Sequence, residues 1–188
     1  MSEVAEIYKL LSTAEPPGLG PGPRAGVEAE KVLDKNLDQV LKRSALPEDK
    51  QQLIRALVLL WHDHLEPAHV IAQEVDNADG AFVHGIMHRR EPDYGNAKYW
   101  FRRVGDHSAF PEIATKVSAL LEPAVERQLR EQLLPRGRWD PFAFVDACEK
   151  VASRPNSDGQ QQLLRDIQRV EAETLLEFFF KPTKTLEK

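Results

Sequence analysis

Cysteine is almost absent from this chain of 188 residues, which contains a single one, Cys148. An intramolecular disulfide is therefore excluded, and such sparing cysteine usage favours a reducing compartment. Cys148 lies in an apolar stretch, where a small buried side chain is more typical than a nucleophile. The sequence therefore predicts a fold held together by a hydrophobic core and not by covalent cross-links.

The chain also lacks a basic excess and a long apolar run. Its 25 Lys and Arg are outnumbered by 30 Asp and Glu, for a formal net charge of −5. Nucleic-acid-binding proteins usually carry surplus Lys and Arg, so we expect no nucleic-acid partner. The longest apolar run, residues 56–61, has six residues, whereas a membrane-spanning helix needs about twenty. The acidic N-terminus lacks a secretory signal pattern. We therefore expect a cytoplasmic protein with no membrane partner.

Hydrophobic periodicity predicts an all-α fold. Apolar residues recur at helical spacing along most of the chain, and no alternating pattern bounded by hairpin turns indicates strands. Proline, glycine and capping residues divide this pattern, which predicts an irregular bundle of about seven or eight helices. We expect a helix break near residues 64–66, a helix that Asp79 caps, a second that Asp93 caps and Gly105 ends, and one continuous helix over residues 111–134.

Three segments follow from composition. Residues 15–26, EPPGLGPGPRAG, contain eight Pro or Gly residues, which predicts a loop or tether. Residues 1–14 then form an N-terminal helix that docks as a strap, and residues 27–188 form a single helical domain. Three consecutive phenylalanines at residues 178–180 cannot all face one core. They indicate either a homo-oligomer contact through the C-terminal helix or burial under the strap.

Histidine is concentrated in one window. All six histidines lie within residues 62–107. His84 and His88 are four residues apart on a predicted helix, and Glu91 follows seven residues after His84, so the three side chains share one face. Two imidazoles and a carboxylate on one face are suitable ligands for a divalent metal ion such as zinc or iron. The alternative is a hydrogen-bonded structural pair of histidines.

Three further residues are candidate catalytic groups. Asp63 and His64 lie at the expected helix break, where both could converge on a site, although polar residues at a helix end are commonly just exposed to solvent. His69 follows Glu66 at the Glu-x-x-His spacing of carboxylate-bridged metal sites, but no second copy of that spacing is present. We expect His69 or His64 to act as an extra ligand or general base.

A dense polar block follows the histidine pair. Arg side chains bind carboxylates and phosphates well, and Tyr and Asn add hydrogen-bonding groups. We therefore expect this block to bind a small polar or anionic ligand; a solvated face of ion pairs is the alternative. The predicted ligand-binding residues are Arg89, Arg90, Asp93, Tyr94, Asn96, Lys98, Tyr99, Arg102 and Arg103.

The stretch from Trp61 to Phe110, above all HGIMHRREPDYGNAKYWFRRVG followed by Asp-His, resembles the signature block of a family of uncharacterised helical proteins from bacteria and fungi. The resemblance implies a helical fold. Because that family has no established activity, the resemblance implies no reaction and assigns no ligands.

Two functions remain open at this point. The first is a metal-dependent enzyme that acts on a small polar or anionic metabolite, with a metal ion on His84, His88 and Glu91. The second is a non-catalytic helical module that binds a phosphate-bearing ligand or an acidic protein partner through residues 89–103. A structural helical protein with neither property is the third reading.

Overall fold

The computed structural model describes residues 2–121 and 126–181, and across these residues it contains ten α-helices, a short 3-10 turn and no strand. The all-α class is confirmed, with ten helices in place of seven or eight. In chain order they are α1 (Glu3–Leu10), α2 (Glu30–Leu41), α3 (Glu48–Trp61), α4 (Leu65–Gln73), α5 (Ala78–Arg90), α6 (Tyr94–Val104), α7 (Phe110–Leu120), α8 (Arg127–Leu133), α9 (Pro141–Val151) and α10 (Gly159–Phe180).

One predicted helix is two helices in the structure. The expected helix over residues 111–134 is divided into α7 and α8, and residues 122–125 lie outside the described part of the chain. Leu121 already has a non-helical backbone, with φ −86° and ψ 100°. The sequence places Pro123 two residues later, and proline has no N–H for a helical hydrogen bond. The prediction of one continuous helix was therefore wrong because it gave Pro123 no weight.

Helix α5 lies at the centre of the fold. Every residue from 80 to 90 is buried, although an ordinary surface helix buries only one face. Gly85 permits the close approach of α6, because a Cβ atom there would lie 3.0 Å from the ring of Phe101. The polar side chains of α5 are consequently held inside the protein, where each needs a partner.

Capping residues set the ends of α5 and α6. Asn77 caps α5 by accepting a hydrogen bond from the Gly80 amide at 2.9 Å, so the expected cap at Asp79 is corrected. Asp79 instead binds Lys50 and His107. Asp93 caps α6 as predicted, and Gly105 ends that helix with a φ of 66°, a conformation that favours glycine.

The helix break before Pro67 is confirmed. Helix α3 ends at Trp61 and α4 begins at Leu65. Asp63, in the turn between them, has a positive φ of 65° and a side chain that is 1% exposed. The turn is therefore part of the interior, and its carboxylate serves internal partners.

The Pro/Gly-rich loop of residues 15–26 is held against the helices by side-chain hydrogen bonds. Arg165 and Gln168 of α10 donate to the carbonyls of Pro16 and Pro17, and Arg90 donates to the carbonyl of Gly20 at 3.1 Å. These contacts hold the loop in place although it has no regular secondary structure, because side-chain donors bind the loop carbonyls that a helix would pair internally.

The N-terminal helix and the C-terminal phenylalanines both pack on the body. Ile7 of α1 is fully buried, and the Tyr8 hydroxyl donates to Glu177 at 2.7 Å. Phe179 is fully buried, while Phe178 and Phe180 are partly buried against the core. A homo-oligomer through α10 stays a prediction. Among the described helices, none has the length and apolarity that crossing a bilayer requires.

Candidate metal centre

Three histidines from two helices meet in the structure. His84 and His88 lie one turn apart on α5, and α4 contributes His69. Each offers a ring nitrogen such that the three ligand atoms lie within 4.8 Å of one another. The ring centroid of His69 is 4.7 Å from that of His84 and 5.2 Å from that of His88. These three residues form a group that could hold a metal ion, and we call it the His69/84/88 cluster.

His84 is buried without hydrogen bonds. Only 2% of it is exposed, and neither Nδ1 nor Nε2 has a partner among the described residues. Its ring stacks on Trp100 with 3.8 Å between centroids. Burial, reinforced by His88, His69 and Arg103, lowers the pKa of His84 to about 3. His84 is therefore a neutral imidazole with a free nitrogen lone pair, the form that coordinates metals.

His88 has polar neighbours on both ring nitrogens. Its Nδ1 lies 3.2 Å from Glu91 Oε2, and its Nε2 lies 3.1 Å from the side-chain nitrogen of Asn96. Since a carboxylate only accepts, Nδ1–H donates to Glu91 and Nε2 accepts from Asn96. Burial and the nearby His69 lower the pKa of His88. The nitrogen that a metal would need is thus the one that Asn96 occupies.

The structure changes the expected ligand set. His84 and His88 lie together as the i, i+4 spacing implied, but the third member of the cluster is His69. Glu91 is not in that group; it is about half exposed and contacts His88 from the outside. Carboxylates in such a position typically orient a metal-binding imidazole without binding the metal themselves.

The geometry of the cluster fits a small transition-metal ion. Histidine nitrogens lie about 2.1 Å from a bound zinc ion, so tetrahedral ligands are about 3.4 Å apart. The ligand atoms of the cluster lie within 4.8 Å of one another, so binding requires an approach of up to about 1.4 Å. Rotation of the imidazole rings about their side-chain torsions supplies movements of this size.

Asp63 and His64, two predicted catalytic residues, lie elsewhere. Asp63 Oδ1 accepts hydrogen bonds from Arg24 and Arg90, each at 2.6 Å. His64 Nε2 lies 2.8 Å from the carbonyl oxygen of Glu28. Both side chains thus join the α3–α4 turn to the segment before α2, and neither belongs to the His69/84/88 cluster.

Arg89 and Arg90 also have internal partners, although they were expected on an open face that binds a ligand. Arg89 is fully buried and binds Glu171, with 2.5 Å between Nη2 and Oε2. Arg90 is 1% exposed and is bound by Asp63 and by backbone carbonyls. Because they face inward from the last turn of a buried helix, they cannot contact a ligand in solvent without breaking these bonds.

The remaining polar residues of the block lie on α6 and the turn before it. Asp93 caps α6, and Lys98 forms an ion pair with Asp146 of α9. Tyr99 and Arg102 are exposed. Arg103 binds Asp76 at 2.8 Å and lies 5.1 Å from the ring centroid of Trp100. Only the α6 part of the block thus presents cations to solvent, and it does so next to the residue that covers His84.

Sequence reasoning missed the role of Trp100, which it placed in an apolar stripe. The structure sets its ring against His84. Trp100 lies sixteen residues after His84. That spacing carries no periodic signal, because the packing of two helices depends on the turn between them. Only the i, i+4 pair within α5 could be read from the sequence.

Comparison with family models, with curated proteins and with solved structures found no match to this chain, so the resemblance of the residue 61–110 block stays a prediction.

Proposed function

We propose that the protein is a metal-dependent enzyme that binds a divalent ion, zinc or iron, through His69, His84 and His88. Its substrate is a small polar or anionic molecule. The observation that carries this proposal is the state of His84, which is buried with both ring nitrogens unpartnered among the described residues. Leaving a buried polar group unsatisfied costs about 1–3 kcal/mol, and a coordinated ion would offset that cost.

The surroundings of the cluster support metal binding. Glu91 accepts from Nδ1 of His88 at 3.2 Å, which leaves Nε2 as the coordinating nitrogen and raises the basicity of the ring. Trp100 covers His84 and so restricts its orientation. Glu91 and Trp100 thus limit the orientations of two of the three imidazoles, so only small ring rotations separate them from a binding geometry, which lowers the entropic cost of binding.

Three histidine ligands suit catalysis better than a purely structural role. Structural zinc sites are closed by four protein ligands, whereas three-histidine sites keep a position open. An ion in such a site supplies Lewis-acid chemistry at the open position. Arg103, 44% exposed and next to Trp100, is placed to attract the negative charge of a substrate, and Asn96 can donate a hydrogen bond once it leaves His88.

The alternative, a non-catalytic module that binds an anionic ligand or an acidic partner through residues 89–103, has less support. Arg89 and Arg90 are occupied by Glu171 and Asp63, and Lys98 is paired with Asp146. Arg103 is likewise paired with Asp76, so Arg102 is the one cation of the block without an ion pair among the described residues. The module also leaves the unpartnered nitrogens of His84 without a role.

Metal content tests the proposal directly. Untagged protein is stripped with a chelator, incubated separately with Zn²⁺ and Fe²⁺, desalted and analysed for metal. We expect about one ion per chain in the native protein, consistent with one three-histidine site, and none in His84→Leu. His64→Gln is the matched control, since His64 lies outside the cluster, and it should retain the ion.

Loss of metal in His64→Gln but not in His84→Leu would reject the cluster as the site. Turnover forms the second arm: the native protein and His84→Leu, each with and without metal, are compared on phosphate esters, carboxylate esters and amides. Activity that requires both metal and His84 supports the enzyme. Stoichiometric metal without any turnover would leave a metal-binding protein and remove the catalytic part of the proposal.

A further inference from the structure

A polar cavity of about 380 Å³ lies beside the Pro/Gly-rich loop, apart from the His69/84/88 cluster. One wall is formed by residues 18–24 of the loop. The opposite wall comes from the start of α10 and the turn before it, including Gln161 and Arg165, and Tyr94 also contributes to the lining. The volume lies within the range of small-molecule sites, about 300–1,000 Å³.

Guanidinium groups dominate the charge of this cavity. Its lining includes Arg24, Arg154 and Arg165, with Asp63 and Glu15 as the acidic members. Asp63 is shared, because it also binds Arg90, so one carboxylate balances the buried Arg90 and the partly buried Arg24. Glu15 is 71% exposed and binds Arg165 at the edge. Since Arg stays protonated when it is buried, the cavity keeps a positive character within a chain of negative net charge.

These arginines are only partly used by the protein. Arg154 binds Gln160 at 3.0 Å and lies 3.5 Å from Asp158, both through Nη1. Arg165 uses Nε and Nη2 on loop carbonyls and on Glu15. Among the described residues, no hydrogen bond is made by Nη2 of Arg154 or by Nη1 of Arg165. Guanidinium N–H groups that remain free in a cavity are the usual partners of carboxylates and phosphates.

Gln161 supplies an acceptor in the same cavity. Its side-chain nitrogen donates to the carbonyls of Val151 and Arg154 at 3.0 and 3.2 Å, which fixes the orientation of the amide. The residue is 4% exposed, and Oε1 has no partner among the described residues. A buried amide oxygen in this state requires a donor, which a fully deprotonated oxyanion does not provide.

We propose that this cavity is a binding site for a small oxyanion that also carries a hydroxyl group, such as a phosphate ester or a hydroxycarboxylate. Arg154 and Arg165 bind the oxyanion, while Arg24, whose terminal nitrogens already bind Asp63 and other groups, adds positive charge. The hydroxyl donates to Oε1 of Gln161 after a local rearrangement, since that atom is covered by its neighbours. The site is independent of the metal centre: it uses none of the three histidines, and it would remain if the protein bound no metal.

Calorimetric titration of the full chain tests the site, with glycerol 3-phosphate, malate and sulfate as probes at an ionic strength held constant with sodium chloride. We expect glycerol 3-phosphate or malate to bind, and the stronger of the two identifies phosphate or carboxylate as the preferred oxyanion. Sulfate, which has no hydroxyl to donate to Gln161, should bind at least about tenfold more weakly. Equal affinity for all three probes would overturn the role of Gln161.

Two variants at the rim test the location with little risk to folding. Arg154→Gln removes one cation, and Asn156→Asp adds a negative charge at an exposed residue of the lining. Arg154→Gln should raise the Kd at least about tenfold, the effect of losing one charge-assisted hydrogen bond, and Asn156→Asp should raise it by a smaller factor through repulsion of the anion. Arg169→Gln, on α10 and paired with Asp166 outside the cavity, should leave the Kd unchanged. Absence of binding by every probe, or an unchanged Kd in Arg154→Gln, would overturn the proposal and leave a cavity filled by water.

Discussion

His84 and His107 are both buried, at 2% and 5% exposure, but their ring nitrogens are in opposite states. His107 uses both: Nε2 lies 2.7 Å from Asp79, and Nδ1 accepts from the Ala109 amide at 3.1 Å. His84 uses neither within the described residues. A buried imidazole with two partners stabilises the fold, whereas one with none is kept at a cost and points to a ligand.

The same contrast separates the remaining histidines. His62 accepts from the Glu28 amide at 2.9 Å through Nδ1 and lies 2.6 Å from the Leu10 carbonyl oxygen through Nε2. It belongs with His107. His88 has partners on both nitrogens, Glu91 and Asn96, and it is grouped with His84 and His69 by position, since the three form the only group of potential metal ligands found among the described residues. The histidine window of the sequence therefore contains two kinds of histidine with different purposes.

The largest expected effect comes from replacing each of the two buried histidines, His107 and His84, with leucine. His107→Leu should lower the free energy of unfolding by about 2–4 kcal/mol, because it leaves Asp79 and the Ala109 amide short of partners and loses aromatic contacts. His84→Leu should change it by less than about 1 kcal/mol in metal-free protein, because removal of the unsatisfied nitrogens opposes the loss of stacking on Trp100. Urea denaturation with chelator present measures both. Equal losses would show that His84 is structural as well.

The next largest effect is the acid sensitivity that His84 gives the fold. The pKa of His84 is about 3 in the fold, below its ordinary value near 6.5. Below about pH 6.5 the unfolded chain therefore binds a proton at this residue, whereas His84 in the folded protein stays neutral. The contribution of His84 to the free energy of unfolding is thus intact above pH 6.5 and is lost as the pH falls toward 3. Between pH 7 and pH 5 the metal-free protein should lose about 1–2 kcal/mol of stability through this group.

His84→Leu is the comparison for that pH series. The variant should show a shallower decline between pH 7 and pH 5 than the native protein, by about the same 1–2 kcal/mol. Urea denaturation at each pH, with chelator throughout, gives the two slopes. Parallel slopes would mean that His84 takes up its proton in the folded state, which is incompatible with a buried and unpartnered ring.

Glu91 should affect metal binding but not the fold. Glu91→Gln removes the carboxylate that orients His88, and loss of such partners weakens metal affinity by about 10–100-fold. Because Glu91 is about half exposed, we expect the lower end of that range. Competition with a fluorescent chelator gives the Kd, and Glu74→Gln, an exposed residue directly after α4, is the control. An unchanged Kd would remove Glu91 from the centre.

The smallest expected effect, of opposite sign, is at Asn96. Its side-chain nitrogen occupies Nε2 of His88 at 3.1 Å and must leave before an ion can bind there. Asn96→Ala should therefore tighten metal binding by about threefold to tenfold, the worth of one neutral hydrogen bond. The same competition assay measures it. Weaker binding in this variant would instead make Asn96 a residue that supports the metal-bound state.

Some of the candidate site could be predicted because it depends on neighbours in sequence. His84 and His88 share a face through helical periodicity alone, and Asp93 caps α6 through its own side chain. Glu91 follows His88 by three residues at the end of the same helix, and it lies near His88 for the same reason. The participation of His69 was expected only as an extra ligand or base, because the angle between α4 and α5 depends on how the helices pack.

The cations of the 89–103 block show where sequence reasoning stopped. Local spacing could not reveal that Arg89 binds Glu171, which is 82 residues away along the chain, or that Arg90 binds the carbonyl of Gly18, 72 residues earlier. The wholly buried helix α5 is the cause. When a helix is covered on all sides, polar side chains that an amphipathic helix would expose must find internal partners.

The amino-acid sequence by itself determined the all-α class, most helix ends and the pairing of His84 with His88, since these follow from hydrophobic periodicity, capping and the pitch of one helix. The tertiary structure alone decided that His69 completes the cluster, that His62 and His107 are hydrogen-bonded, and that Arg89 and Arg90 are internal. Those outcomes depend on which distant segments are brought together when the core is buried, and local spacing contains no record of that choice.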